Sequence, residues 1–158
     1  MLFPTHLLAG ALLGTYWRLS VGWLVVGAAL PDLLDKPLAS LGITTLYHSV
    51  GHSVLLAVVL VPLAAVSRLG AAVAVGWASH LLLDAVHVVV NGRPLDALFL
   101  AWPVAVPPDP LALAPIPFAL QYLWTPSFFL EVGIWLAAAA VALRRRPAVR
   151  RALPKGGR

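Results

Sequence analysis

An all-α membrane helix bundle with about five membrane helices is the fold this sequence predicts, and three observations point to it. Hydrophobic residues make up 61% of the 158, charged residues only 11%, and the mean hydropathy is +0.91, values of polytopic membrane proteins rather than soluble domains. Apolar runs of helical length alternate with short stretches holding Arg, Lys, Gly or Pro. The few polar residues within those runs recur at helical spacing, as in His80, Asp84 and His87. Cysteine is absent, so there is no disulfide framework, and any metal must be held by imidazole and carboxylate.

The first apolar segment runs from about Leu2 to Trp17 and the second from about Ser20 to Leu34, with Arg18 between them. Both fall short of the roughly 20 residues of a spanning helix, which predicts a thin transmembrane pair or a re-entrant hairpin. The start, MLFPTHLL, lacks a basic n-region, so no cleaved signal peptide is expected. Residues 35–47, with Lys36 and Pro37, predict a loop. The third segment, His48 to Val66, carries Pro62 and is expected to kink there. A tight SRLG turn leads into the fourth, Ala71 to Val90.

Seven prolines between Asn91 and Trp124 exclude one long helix, yet the stretch stays apolar. It predicts an interfacial loop, acting either as a lid over the bundle or as an inert connection. The fifth segment, Thr125 to Leu143, completes a single membrane domain over residues 1–143. Seven of the eleven basic residues follow in residues 144–158, so the net charge of +5 marks a cytoplasmic tail rather than a nucleic-acid surface. Gly10, Gly14 and Gly27 with Ala28 predict close helix contacts.

The basic tail places the C-terminus inside, and counting back puts the turns at Arg68 and Arg18 inside and the N-terminus outside. His6, Asp32, Asp35, His48, His52, His80, Asp84, His87 and Glu131 then converge in one outer layer of a prokaryotic-type cytoplasmic membrane. His48 with His52 at i, i+4, and Asp32 with Asp35 at i, i+3, are each expected to share a helical face. Carboxylates cost about 2.5–3.5 kcal/mol at the centre of a membrane helix, so such a group predicts satisfied partners or a metal. His6, Asp32, Asp35, His52, His80 and Asp84 are the candidate ligands for one or two divalent ions, zinc above all. Glu131, His87 and His48 are candidates for proton transfer or for orienting ligands. Ser53 and Ser79 lack a nucleophile elbow and read as packing hydroxyls, while Asp96 and Asp109 are expected to be solvated.

THLLAG, LPDLLDKPL, GHSVLLA and GWASHLLLDA followed by LAWPV resemble, in this order, the YdjM-like family of membrane-bound metal-dependent hydrolases. The matches extend from His6 to Val104. The resemblance implies a metal site at His6, Asp32, Asp35, His52, His80 and Asp84, and through a distant similarity to zinc-dependent phospholipase C it implies phosphoester chemistry. The stretch YHSVGHS departs from the family, with His48 where an Arg often stands, which weakens a phosphate-clamping role there.

Together these readings predict a membrane-embedded metal-dependent hydrolase. Its substrate would be a lipid or lipid-linked ester or phosphoester, reached from the membrane. An intramembrane ion or proton transporter and a non-catalytic membrane protein stapled by a structural metal are the alternatives.

Overall fold

A computed structural model describes residues 1–110 and 113–152, with side chains described up to Arg144. Most of the basic tail therefore lies outside the described side chains, and residues 153–158 lie outside the described residues. Among the described residues helix is the one regular structure, with six α-helices: α1 (Phe3–Tyr16), α2 (Val21–Ser40), α3 (Ala57–Val66), α4 (Arg68–Val90), α5 (Pro115–Tyr122) and α6 (Pro126–Ala152). Short 3-10 stretches lie at Val54–Leu56 and Pro94–Ala101.

Pro4 enters α1 in its first turn, where a missing amide costs no helical bond. α2 runs on through Asp35 and Pro37, beyond the end expected at Leu34, and stops before Gly42 at φ +71°. The polar residues do not break it because Lys36 reaches back one turn to Asp32 and both aspartates point inward. Ser67 ends α3 and caps α4, its hydroxyl accepting from the Gly70 amide at 2.9 Å.

The third segment is corrected at its start. His48 and His52 do not share a helix face, because residues 47–53 form turns and bends before the 3-10 stretch. The amides of Ser49, Gly51 and His52 all donate to the Asp35 carboxylate, and amides committed to a side chain cannot enter an i to i−4 ladder.

About five spans are also not supported. Among the described residues, α4 and Pro126–Arg144 of α6 are long and apolar enough to cross a membrane, with mean hydropathies of 1.7 and 1.8. α1 and α3, at 14 and 10 residues, are too short for a roughly 20-residue span. α2 has the length, at 20 residues, but carries Asp32, Asp35 and Lys36.

α4 is the central helix, flanked by α2 and α3, with α1 packed on α2. A β-carbon on Gly27 would overlap the Val73 carbonyl, and one on Gly76 the Leu24 carbonyl, so only glycine lets α2 and α4 approach this closely. The main cluster of buried apolar side chains is small: Leu60, Val73, Trp77 and Leu81. Large apolar side chains such as Val58, Val66 and Leu136 face outward, while His6, Asp35, His52 and His80 are at most 1% exposed. Apolar outside and polar inside inverts the usual distribution of a water-soluble domain.

Candidate metal centre

Four elements build the polar cluster: α1 supplies His6, α2 supplies Asp32 and Asp35, the docked turn supplies His48 and His52, and α4 supplies His80 and Asp84. Asp84 is the hub. His80 Nε2 lies 3.1 Å and His52 Nε2 3.4 Å from its Oδ2, and His6 Nε2 lies 3.2 Å from its Oδ1. Asp32 Oδ1 completes the group, 3.7 Å from His52 Nε2 and 3.9 Å from His80 Nε2. Three sets can each hold an ion, with ligand atoms within 4.8 Å of one another: His6, His80 and Asp84; Asp32, His52 and His80; and His48, His52 and Asp84.

The far side of each central imidazole fixes its tautomer. His52 Nδ1 lies 2.7 Å from Asp35 Oδ2, and His80 Nδ1 lies 2.6 Å from the Ala28 carbonyl oxygen. A carboxylate and a carbonyl only accept, so both Nδ1 atoms carry protons and donate. In the neutral rings both Nε2 atoms are then lone pairs, and they face each other at 3.1 Å with two carboxylates around them. Acceptors meeting acceptors in a buried site need a positive charge between them, a proton or a metal ion. Burial lowers the His52 imidazole, but Asp35 and Asp84 outweigh it and raise it above the ordinary histidine range, so a proton on its Nε2 is one way to fill the gap. The cluster answers part of that need itself. The Met1 ammonium lies 2.8 Å from Asp84 Oδ1, and Lys36 Nζ 2.6 Å from Asp32 Oδ2. His6 Nδ1 remains buried without a hydrogen-bond partner.

Asp35 is fully occupied by the turn and His52. Burial works to raise its carboxyl, but the His52 ring and the Gly51 and Ser49 amides outweigh burial and hold it below the usual carboxylate range. The turn is fastened from its other side by Trp77, whose indole donates to the Gly51 carbonyl at 2.9 Å.

The remaining candidates fall at different distances from the centre. His48 stands at its mouth, packed edge-on against His52, with Nε2 3.7 Å from Asp84 Oδ2. His87 lies farther along α4, bound to Ser127. Glu131 faces the start of α1, where it accepts from the Leu2 amide at 3.3 Å and from the Thr5 hydroxyl. Asp96, expected to be solvated, pairs with Arg93 at 2.7 Å.

A cavity of about 480 Å³ opens against the cluster. Asp32, Asp84, His48 and His87 line it beside Lys36, Arg93 and Asp96, and Phe3, Phe99 and Phe118 add apolar wall. Pro107, Pro110, Pro115 and Tyr122 of the proline-rich stretch also line it, so that stretch covers the site. Sequence reasoning missed Lys36, Arg93, Asn91 and Ser127. Asn91 was legible as the next member of the stripe His80, Asp84, His87; nothing marked Ser127.

No protein-family model matches the chain, and no curated protein or solved structure shows significant similarity to it.

Proposed function

We propose that this protein is a metal-dependent hydrolase held in a membrane by α4 and α6, acting on a lipid or lipid-linked ester or phosphoester. The observation that carries the reading is the pair of Nε2 atoms of His52 and His80 that converge beside Asp84 and Asp32, each ring fixed from behind. Imidazoles oriented by a carboxylate or a carbonyl at the distal nitrogen are the usual second shell of metal-ligating histidine. His52, His80, Asp84 and Asp32 would hold the ion, with His6 adding a ligand for it or for a second one. The mixed nitrogen and oxygen set, without thiolate, suits zinc. When bound, such an ion supplies a Lewis acid and a water acidic enough to react near neutral pH.

The chain's own residues do the rest. Asp35 sets the His52 tautomer and orientation, and the Ala28 carbonyl does the same for His80. His48, at the mouth of the cavity, is placed to take or return a proton at its Nε2. Glu131 we assign to anchoring α1 on α6 rather than to the reaction. The apolar exterior and the covering proline-rich stretch favour a substrate entering from the bilayer side. Five of the six ligand positions implied by the resemblance to the YdjM-like family are kept in these assignments; the sixth, Asp35, is taken by the turn and by His52 and is assigned to orienting that ring instead.

The ion pairs of Asp84 with Met1 and of Asp32 with Lys36 favour a second reading, in which the cluster only staples the helices together. Elemental analysis of detergent-purified protein, paired with hydrolysis of a panel of short-chain lipid esters and phosphoesters, separates the two. At least one equivalent of divalent transition metal and activity abolished by His80→Ala is the expected result. No stoichiometric metal, together with unchanged stability and activity in His80→Ala and Asp84→Ala, would overturn the proposal.

A further inference from the structure

His87 is held in the opposite sense to the metal histidines. The Ser127 amide donates to Asn91 Oδ1 at 3.2 Å, which fixes the orientation of that side-chain amide. The Asn91 Nδ2 must then be the group directed at Ser127 Oγ, which it meets at 2.8 Å. The Ser127 proton then has two acceptors in reach, Thr125 Oγ1 at 3.2 Å, whose own proton goes to the Tyr122 carbonyl, and His87 Nδ1, which is nearer at 2.8 Å. Asn91 Nδ2 is a second donor 3.3 Å from the same nitrogen. His87 Nδ1 therefore accepts, and its neutral ring carries the proton on Nε2. Nε2 makes no hydrogen bond among the described residues, and His87 lines the cavity, its ring packed against Phe118 and Tyr122.

We infer that His87 is a ligand-binding residue: a fixed Nε2–H donor to an anionic head-group oxygen of an amphiphile bound in the cavity, with Asn91 and Ser127 as the positioning residues that set its tautomer. The ligand class follows from what shares the cavity. Arg93 and Lys36 line it as cations, and Phe3, Leu46, Phe99 and Phe118 line it as apolar surface. Arg93 is held by Asp96 through Nε and Nη2, which leaves Nη1 for a ligand. Asp32 and Asp84 at the floor would repel an anion unless a metal offsets them, so the ligand class rests on the hydrolase reading. The tautomer of His87 does not.

Long-range proton–nitrogen spectra of labelled full-length protein in micelles read the tautomer directly. The expected spectrum has an unprotonated Nδ1 and a protonated Nε2 for His87, in metal-free and zinc-loaded samples alike, and Ser127→Ala moves the ring toward tautomeric exchange. A His87 protonated at Nδ1 in the unaltered protein, or one unmoved by Ser127→Ala combined with Asn91→Ala, would overturn the relay. Titration of the zinc-loaded protein with decyl phosphate, decanol and inorganic phosphate tests the ligand. Decyl phosphate should shift the Nε2 signal and bind at least fivefold more weakly to His87→Leu, with His87→Gln restoring most of the loss through its amide. Equal binding to His87→Leu, an equal response to decanol, or an equal response to inorganic phosphate alone would each refute the assignment. Elemental analysis of the same samples shows separately whether the metal reading has failed.

Discussion

The Nε2 atoms of His52 and His80 face each other at 3.1 Å while Asp35 and the Ala28 carbonyl hold the opposite nitrogens. Neither ring can turn away without abandoning a buried partner, so the cluster is held in place by the protein alone. Replacing either histidine by alanine should lower zinc affinity by at least about 100-fold, beyond the roughly 10- to 100-fold typical of second-shell changes. Competition with a chelating dye measures this.

Asp35→Asn tests the shell behind the proposed ligands. The amide keeps the shape but loses the charge and one acceptor, and zinc affinity should fall by about 10- to 100-fold with the helical content intact. Asp35→Ala should be worse, because it strands the amides of Ser49, Gly51 and His52 as well as His52 Nδ1. A loss of about 3–5 kcal/mol is expected for breaking such a buried, charged arrangement. Chemical unfolding in micelles, comparing the two variants, gives the difference.

Gly76→Ala should destabilise by about 1–3 kcal/mol, since the added carbon overlaps the Leu24 backbone rather than a movable side chain. It should also weaken metal binding, because separating α4 from α2 draws His80 off the Ala28 carbonyl. Gly133→Ala, where a β-carbon meets open space, is the control and should cost nothing measurable. Thermal unfolding with and without zinc reads both effects.

Tyr122 makes stability fall at high pH. Its hydroxyl is buried near Glu131 and Ser127 without a hydrogen bond of good geometry, and burial first, then Glu131, raise it well above the ordinary tyrosine range. The unfolded chain ionises at about pH 10 and the folded one later, so the unfolded state binds fewer protons above pH 10 and stability declines there. Tyr122→Phe should be near neutral at pH 7 and should flatten the decline between pH 9 and 11.5. Identical slopes for both proteins would contradict this.

Much of the site was legible from spacing, and much of the fold was not. The stripe of His80 and Asp84 on α4 needed only the helical period. His6, Asp32, Asp35 and His52 do lie beside one another in the structure, although the five spans through which charge asymmetry placed them in one layer are not supported. What spacing could not show is which carboxylate serves the backbone. Asp35 takes three amides of a turn more than a dozen residues away, and that single long-range event removes His48 and His52 from the helix their i, i+4 spacing suggested. Span counting failed because apolar composition was taken for spanning length: α1 and α3 have only 14 and 10 residues, and α2 carries Asp32, Asp35 and Lys36. Ser127 was invisible because its partners, His87 and Asn91, lie 40 and 36 positions away.

The docking of the turn on Asp35 bears on how this chain can vary. One carboxylate registers the backbone at Ser49, Gly51 and His52, and Gly51 lies so close to Pro31 that a β-carbon would come within 2.8 Å of its backbone. The far end of the connection is thus located by the site itself and not by the length of chain leading to it. Residues 41–46 are themselves tied, the Ile43 and Thr44 amides to the Leu38 carbonyl and Leu46 by burial, but the turn is where register reaches the cluster: a single residue gained or lost between Ser49 and His52 would put the imidazole out of place.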